Sequence, residues 1–189
     1  MSTWADKSWS HFDRTSFEEV HAGVLDFLPS LPARILDVGA GTGRDARALS
    51  RLGYEVTAVE PSPLLYQEAS SREGPHVEWR QDELPQLKQL EHRRFDFVLV
   101  SAVWMYVEPL SRPAAMKRLY RLLDDNSVLV LTTRPELRTD DPRAFWEASD
   151  SEVMRTAKAA GLIPVRERSD VDSLGRGIVW KTFVFRQGR

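Results

Sequence analysis

Short apolar runs alternate with amphipathic stretches along most of this chain. From Ser16, the residues Phe17, Val20, Val24, Phe27 and Leu28 fall near one helical face. Ser16 and Glu19 have capping-box spacing, so a helix is predicted that Pro29 and Pro32 close. Arg34–Val38 reads as a short buried strand and residues 39–43 as a glycine turn. A helix to about Leu52 follows, with Gly53 suited to its C-cap. Tyr54–Glu60 is a second strand, Pro61 and Ser62 open a helix ending near Gly74, and His76–Trp79 is a short third strand. Phe95–Ser101 is an apolar run of the kind found in strands covered on both faces. Pro113 opens a helix whose apolar face uses Met116, Leu119, Leu122 and Leu123, and Ser127–Thr132 gives a fifth strand. Ser149 and Glu152 frame a second capping box, for a helix that Gly161 ends. Leu162–Arg168 and Ile178–Phe185 are the last strand-like runs.

Strands alternating with helices imply βαβ units and a mostly parallel sheet. The last two strands have no helix between them and are expected to pair as an antiparallel hairpin. One domain over residues 1–189 accounts for every element, a length that buries a substantial core without staples. Composition changes little in this picture: 42% hydrophobic and 29% charged residues are ordinary globular values. A formal net charge of -2 gives no electrostatic reason to expect nucleic acid or membrane as a partner. Cysteine is absent, which removes disulfides, thiolate metal ligands and a cysteine nucleophile. The first residues lack the basic start and apolar run of a signal peptide. No stretch approaches the roughly 20 apolar residues of a membrane helix, so a cytoplasmic protein is expected.

The most informative stretch is Ile35-Leu36-Asp37-Val38-Gly39-Ala40-Gly41-Thr42-Gly43-Arg44. A buried strand runs into three glycines at alternate positions, where the backbone turns sharply and a ligand can approach closely. Glu60 ends the next strand, 21 residues after Gly39, near the spacing at which a carboxylate accepts hydrogen bonds from ribose hydroxyls. A dinucleotide fingerprint would want a small residue where Arg44 stands, and a P-loop would want a lysine after the glycines. Asp37 beside the turn would repel a pyrophosphate but suits a ligand carrying an ammonium group. S-adenosylmethionine has ammonium, carboxylate, ribose and adenine, and no phosphate. The plainer reading is a tight βα connection with no ligand.

Residues 35–60, ILDVGAGTGRDARALSRLGYEVTAVE, resemble motif I and the following acidic motif of class I S-adenosylmethionine-dependent methyltransferases. The order of elements is similar to that family from about residue 16 to 185. The GRDA segment after the glycines and the SAVWM segment at the fourth strand resemble small bacterial members in particular. The resemblance implies an α/β, Rossmann-like, seven-stranded and mostly parallel sheet. Its strand order would be 3-2-1-4-5-7-6, with the last strand antiparallel and helices on both faces. It implies S-adenosyl-L-methionine as cofactor, with Gly39, Ala40, Gly41 and Gly43 along the methionine moiety and ribose and Glu60 on both ribose hydroxyls. Asp37 would meet the amino end, directly or through water. Asp82, with Glu83 beside it, matches the acidic position that contacts the adenine amino group in relatives; the alternative is an ordinary solvated loop aspartate. Pro61 would pack on the adenine, and Ser101 and Ala102 would end the fourth strand beneath the reactive methyl. Residues 1–30, which include Trp4, Trp9, His11, Phe12, Phe17 and His21, would form a helical lid segment that excludes water.

Methyl transfer from a sulfonium is an in-line displacement with an already activated electrophile, so orientation is the protein's main task. A base is needed only when the acceptor must lose a proton. The candidates for catalysis are Tyr106, at a place where the family often carries histidine, and His21. The alternatives are packing of Trp104 and Tyr106 under the N-terminal helix, and a structural His21. The fourth strand ends in Ser101-Ala102-Val103-Trp104, not in the Asn/Asp-Pro-Pro-Tyr of exocyclic-amine methyltransferases, and cysteine-dependent pyrimidine chemistry is excluded. The basic run Arg112, Lys117, Arg118 and Arg121 reads as a solvated helix face, Arg134 as a solvated loop arginine, and no metal signature is present. The expected activity is methyl transfer to oxygen or nitrogen of a small-molecule acceptor by a monomer or homodimer. A methyltransferase of RNA or protein, and a non-catalytic binder of S-adenosylmethionine or S-adenosylhomocysteine, are the alternatives. A nicotinamide-dependent oxidoreductase is opposed by Arg44 and Asp37.

Overall fold

The computed structural model describes residues 14–134, 144–171 and 176–188. Seven strands form one sheet: β1 (Arg34–Val38), β2 (Glu55–Val59), β3 (Glu78–Arg80), β4 (Phe95–Val100), β5 (Leu123–Thr133), β6 (Leu162–Val171) and β7 (Val179–Gln187). Their order is β3-β2-β1-β4-β5-β7-β6, as the resemblance implies. The pairs β1/β2, β1/β4, β2/β3 and β4/β5 are parallel, and β7 runs antiparallel to both β5 and β6. Strand order reverses between β1 and β4, and the region beyond their carboxyl ends is the usual ligand side of such a sheet.

Alternation along the strands assigns two faces. Ile35, Val56, Ala58, Phe97, Leu99, Val128, Val130 and Val184 form one cluster with Phe17, Val24, Ala46 and Leu49. These last come from the N-terminal segment and α2 (Arg44–Arg51). Leu36, Val98, Val100, Leu129, Leu131, Phe183 and Phe185 face the other way. They pack on α4 (Arg112–Leu122) and α5 (Asp150–Ala160) through Ala115, Met116, Leu119, Val153 and Ala157. Between α2 and α4 lies α3 (Pro63–Ser71), capped by the Ser62 hydroxyl. No helix of the described residues is long and apolar enough to cross a membrane.

Three elements differ from expectation. The N-terminal helix is a single turn, α1 (Phe17–Val20), with the predicted capping box intact and a separate 3-10 turn at Leu25–Phe27. The break spans residues 21–24, with His21 as the C-cap and Gly23 within it. The Gly23 carbonyl accepts from the Arg166 guanidinium at 2.8 Å instead of continuing a helix, and the Arg168 side chain lies where a Cβ would stand. Leu123 ends no helix but begins β5. The β4/β5 register then jumps from Phe95↔Leu123 to Phe97↔Val128, so Asp124–Ser127 bulge out, and Asn126 takes the left-handed conformation that asparagine tolerates. In α5 the Ser149 hydroxyl caps Glu152 N–H, but the Glu152 carboxylate does not return to close the box. It binds Arg112 at 2.9 Å instead.

Candidate active site

The glycine turn is laced to the end of β2: the N–H groups of Gly39 and Ala40 donate to the Val59 carbonyl at 2.7 and 2.9 Å. Gly39, Gly41 and Gly43 all have positive φ, at 73°, 57° and 80°. At Gly39 a Cβ would collide with the Val103 side chain, so the turn sits directly against the segment following β4. At Gly41 a Cβ would meet no atom within 4 Å. There the backbone faces open space, which is where a ligand can come close.

Two buried carboxylates flank the turn. Glu60 follows β2 and is 5% exposed; its carboxylate accepts from Gly41 N–H at 2.8 Å and Ser62 N–H at 2.9 Å. Asp37, in β1, is 2% exposed; it accepts from Ala46 N–H, but its Oδ2 has no hydrogen-bond partner among the described residues. Burial first, then the nearby Asp45 carboxylate, push the Asp37 pKa well above the ordinary carboxylate value. Glu60 adds to this and Arg44 opposes it.

Asp45, in the first turn of α2, stands in contrast. Burial pushes its pKa up, but His21 and Arg44 more than offset that and hold it well below the usual range. His21 Nε2 lies 3.0 Å from Asp45 Oδ2, and Arg44 donates to both Asp45 oxygens at 2.6 and 3.0 Å. Arg44 also donates to the Thr15 hydroxyl at 3.2 Å. The residue that argued against a dinucleotide fingerprint thus tethers the N-terminal segment to the helix.

This donor set suits an S-adenosylmethionine-type ligand. An orphaned, buried carboxylate oxygen wants a cation with N–H donors, and an ammonium group supplies both. A phosphate would meet Asp37, Asp45 and Glu60 together.

Toward the β3 side, the Arg80 carbonyl accepts from Glu60 N–H at 3.1 Å. Asp82 lies two residues beyond, its carboxylate accepting from the N–H groups of Glu83 at 2.8 Å and Gln89 at 2.6 Å, so it also fixes its own loop. Pro61 and Glu83 are exposed. Trp79 is a site residue that the sequence reading missed. Its indole edge fills the space beside Gly43 where a Cβ would fall, so it walls the turn. A lone aromatic in a three-residue strand carries no signal for that role.

Beyond β4, Ser101 and Ala102 are half-buried. Ala102 has φ +56°, and its N–H donates to the Thr132 hydroxyl at 2.8 Å. Such a left-handed alanine costs energy, and held strain of this kind clusters at functional edges. Trp104–Tyr106 is a 3-10 turn. Trp104 is wholly buried in the cluster with α4 and α5, on the face opposite the N-terminal segment, which corrects the alternative that placed it under that segment. Tyr106 is half-buried and meets Phe145 edge-on, with ring centroids 5.7 Å apart. The Arg134 guanidinium lies over Phe145 at 5.2 Å and over Trp180 at 5.8 Å. Arg134 is 6% exposed and Arg112 1%, so neither is the solvated residue that charge patterning predicts. In Arg134 the planar cation is covered by aromatic rings; in Arg112 four hydrogen bonds satisfy it.

The two catalytic candidates join different clusters: His21 is drawn to Asp45 and Phe17, Tyr106 to Phe145. Trp4, Trp9, His11 and Phe12 lie outside the described residues. Among the described residues no group of three His, Cys, Asp or Glu side chains could hold a metal ion.

Residues 35–126 match the family model of the methyltransferase domain. That stretch is similar to methyltransferase domains, and the fold is that of solved S-adenosylmethionine-dependent methyltransferases. A methyltransferase of Mycobacterium tuberculosis is 31% identical over 96 residues, covering 50% of this chain and 38% of the relative. The ubiquinone biosynthesis O-methyltransferase of Azorhizobium caulinodans is 28% identical over 103 residues, covering 53% and 40%. The chain thus spans about two fifths of the length of these curated relatives. A solved S-adenosylmethionine-dependent methyltransferase of Methanosarcina mazei superposes with a TM-score of 0.73 at 16% identity, covering 87% of this chain and 96% of that one.

Proposed function

We propose that this methyltransferase-domain chain transfers the methyl group of S-adenosylmethionine to an oxygen or nitrogen atom of a small-molecule acceptor. The observation that carries the reading is the pair of buried carboxylates at the glycine turn, Asp37 with a free oxygen and Glu60 at the end of β2. In this reading Asp37 binds the ammonium end and Glu60 the ribose hydroxyls. Gly39, Ala40, Gly41 and Gly43 form the wall between them, and Asp82, Glu83 and Pro61 lie toward the adenine. When bound, the cofactor supplies a methyl group already activated by its sulfonium. The chain's own work is to hold the acceptor in line with that methyl and to keep water out.

Ser101 and Ala102, just beyond β4, would lie at the reacting edge, where Ala102 holds a left-handed backbone. Tyr106, backed by Phe145, is the candidate for orienting the acceptor through its hydroxyl. His21 is buried against Asp45, so the role that fits it is positioning the N-terminal segment over α2. The rings of Tyr106, Phe145 and Trp180 near the strand ends support a compact acceptor, and the biosynthetic O-methyltransferase among the relatives supports an oxygen acceptor.

Calorimetric titration with S-adenosylmethionine and, separately, with NAD tests the reading. The wild type is expected to bind S-adenosylmethionine at micromolar concentration and not to bind NAD. Glu60→Ala is expected to weaken binding roughly 10- to 100-fold, the equivalent of about 1.5–3 kcal/mol for hydrogen bonds to a charged group. Binding of NAD, or of neither ligand, would refute it.

A further inference from the structure

We propose that Asp37 takes the cofactor's ammonium group in exchange for a proton, so that each ligand molecule bound releases a proton from the buried site to solvent. The inference rests on the functional reading above, because it needs a ligand with an α-ammonium group. Among the described residues, every charged group that faces Asp37 is otherwise engaged or of the wrong sign. Asp45, on α2, is matched by His21 and by Arg44, whose guanidinium is clamped on the Asp45 carboxylate. Glu60, beyond β2, is held by the N–H groups of Gly41 and Ser62. Asp37 itself receives the Ala46 N–H, while Oδ2 is buried with no partner among the described residues.

An ionised carboxylate in that place is poorly compensated, and a neutral acid costs far less to bury. Burial and Asp45 raising the Asp37 pKa agree with the geometry. An arriving ammonium supplies a counter-ion and up to three N–H donors for Oδ2. The exchange balances: a carboxylic acid plus an alkylammonium gives a carboxylate–ammonium pair plus one proton in solvent. The only bond broken is the O–H of Asp37.

The sign follows from linkage. The proton must leave for the ligand to bind, so affinity tightens with rising pH, by up to tenfold per pH unit. It levels off above the pKa of the ligand-free protein. The ligand's own α-amino group titrates near 8, so the informative window is about pH 5.5–7.5.

The experiment titrates S-adenosylhomocysteine into the protein by calorimetry, at several pH values in that window and in buffers of differing ionisation heat. 5′-Methylthioadenosine, which keeps adenine and ribose but has no ammonium group, is the comparison ligand. Wild type is expected to release up to about one proton per S-adenosylhomocysteine and none per 5′-methylthioadenosine. Asp37→Asn is expected to bind S-adenosylhomocysteine more weakly, with no proton released and a pH-independent affinity. His21→Asn, which leaves the Asp37 carboxyl in place, is expected to keep the release. Wild-type binding without proton exchange, equal release with 5′-methylthioadenosine, or release that survives in Asp37→Asn would each overturn the proposal. Failure of the wild type to bind S-adenosylhomocysteine at all would overturn the functional reading itself, an outcome distinct from binding without exchange.

Discussion

Asp37 and Asp45 are eight residues apart, both buried, and electrostatically opposite. Asp45 has His21 and Arg44 and stays ionised; Asp37 has an orphaned oxygen and two acidic neighbours. The stability consequence of Asp37 has a definite sign. Its folded pKa is raised above the unfolded value, so folding binds the proton more tightly. The resulting penalty grows as pH rises from about 4 toward the folded pKa. Asp37→Asn is therefore expected to stabilise the ligand-free protein at pH 7 and to do so much less at pH 4. Urea unfolding at the two pH values checks this, and an equal effect at both would mean that burial of charge is not the cause. A residue kept at a cost in stability is what a ligand site is expected to contain.

At the scale of elements, Arg112 is the junction of the α4/α5 face. From the first residue of α4 its guanidinium donates to the carbonyls of Val107, Trp146 and Glu147 and to the Glu152 carboxylate, at 2.9–3.2 Å. It thereby joins the segment after the Trp104–Tyr106 turn, the chain entering α5, and α5 itself. Arg112→Met keeps the stem volume but leaves those acceptors and a partly buried carboxylate unpaired. The expected cost is about 3 kcal/mol. Arg112→Lys is expected to recover only part of it, because one ammonium cannot reproduce the planar fork. Denaturant midpoints of the two variants decide the matter, and equal stability of Arg112→Met and wild type would remove Arg112 from its structural role.

For the molecule as a whole, the sheet joins two packed faces, and the proposed ligand site lies at the strand ends where both meet. A ligand that binds only the folded state then stabilises all of it. S-adenosylhomocysteine at about 100 times its dissociation constant is expected to add about 2.7 kcal/mol. For a chain of this size that corresponds to a rise in Tm of roughly 5–10 °C. NAD at the same concentration is expected to leave Tm unchanged. Differential scanning calorimetry reads both, and a matching rise with NAD would contradict the ammonium-selective site.

Local order along the chain was enough to determine much of this protein. Strand and helix periods alternate within a few residues, so a mostly parallel sheet with a terminal hairpin could be read directly, while its strand order came from the family resemblance. The glycine turn, Asp37 and Glu60 belong to one strand-turn-helix-strand unit, whose geometry short-range spacing dictates. Tertiary structure decided what lies between distant segments. Arg134 meets Phe145 and Trp180 because β5 pairs with β7, placing Thr133 opposite Lys181. Arg112 is buried because α5 and the chain entering it bring three acceptors to it. Asp45 is ionised because the broken N-terminal helix delivers His21, and Trp104 faces α4 because of the turn that follows β4. Hydrophobic periodicity reports which face of an element is apolar. Whether a charge is buried depends on the partner that a remote segment supplies, and no local pattern records that partner.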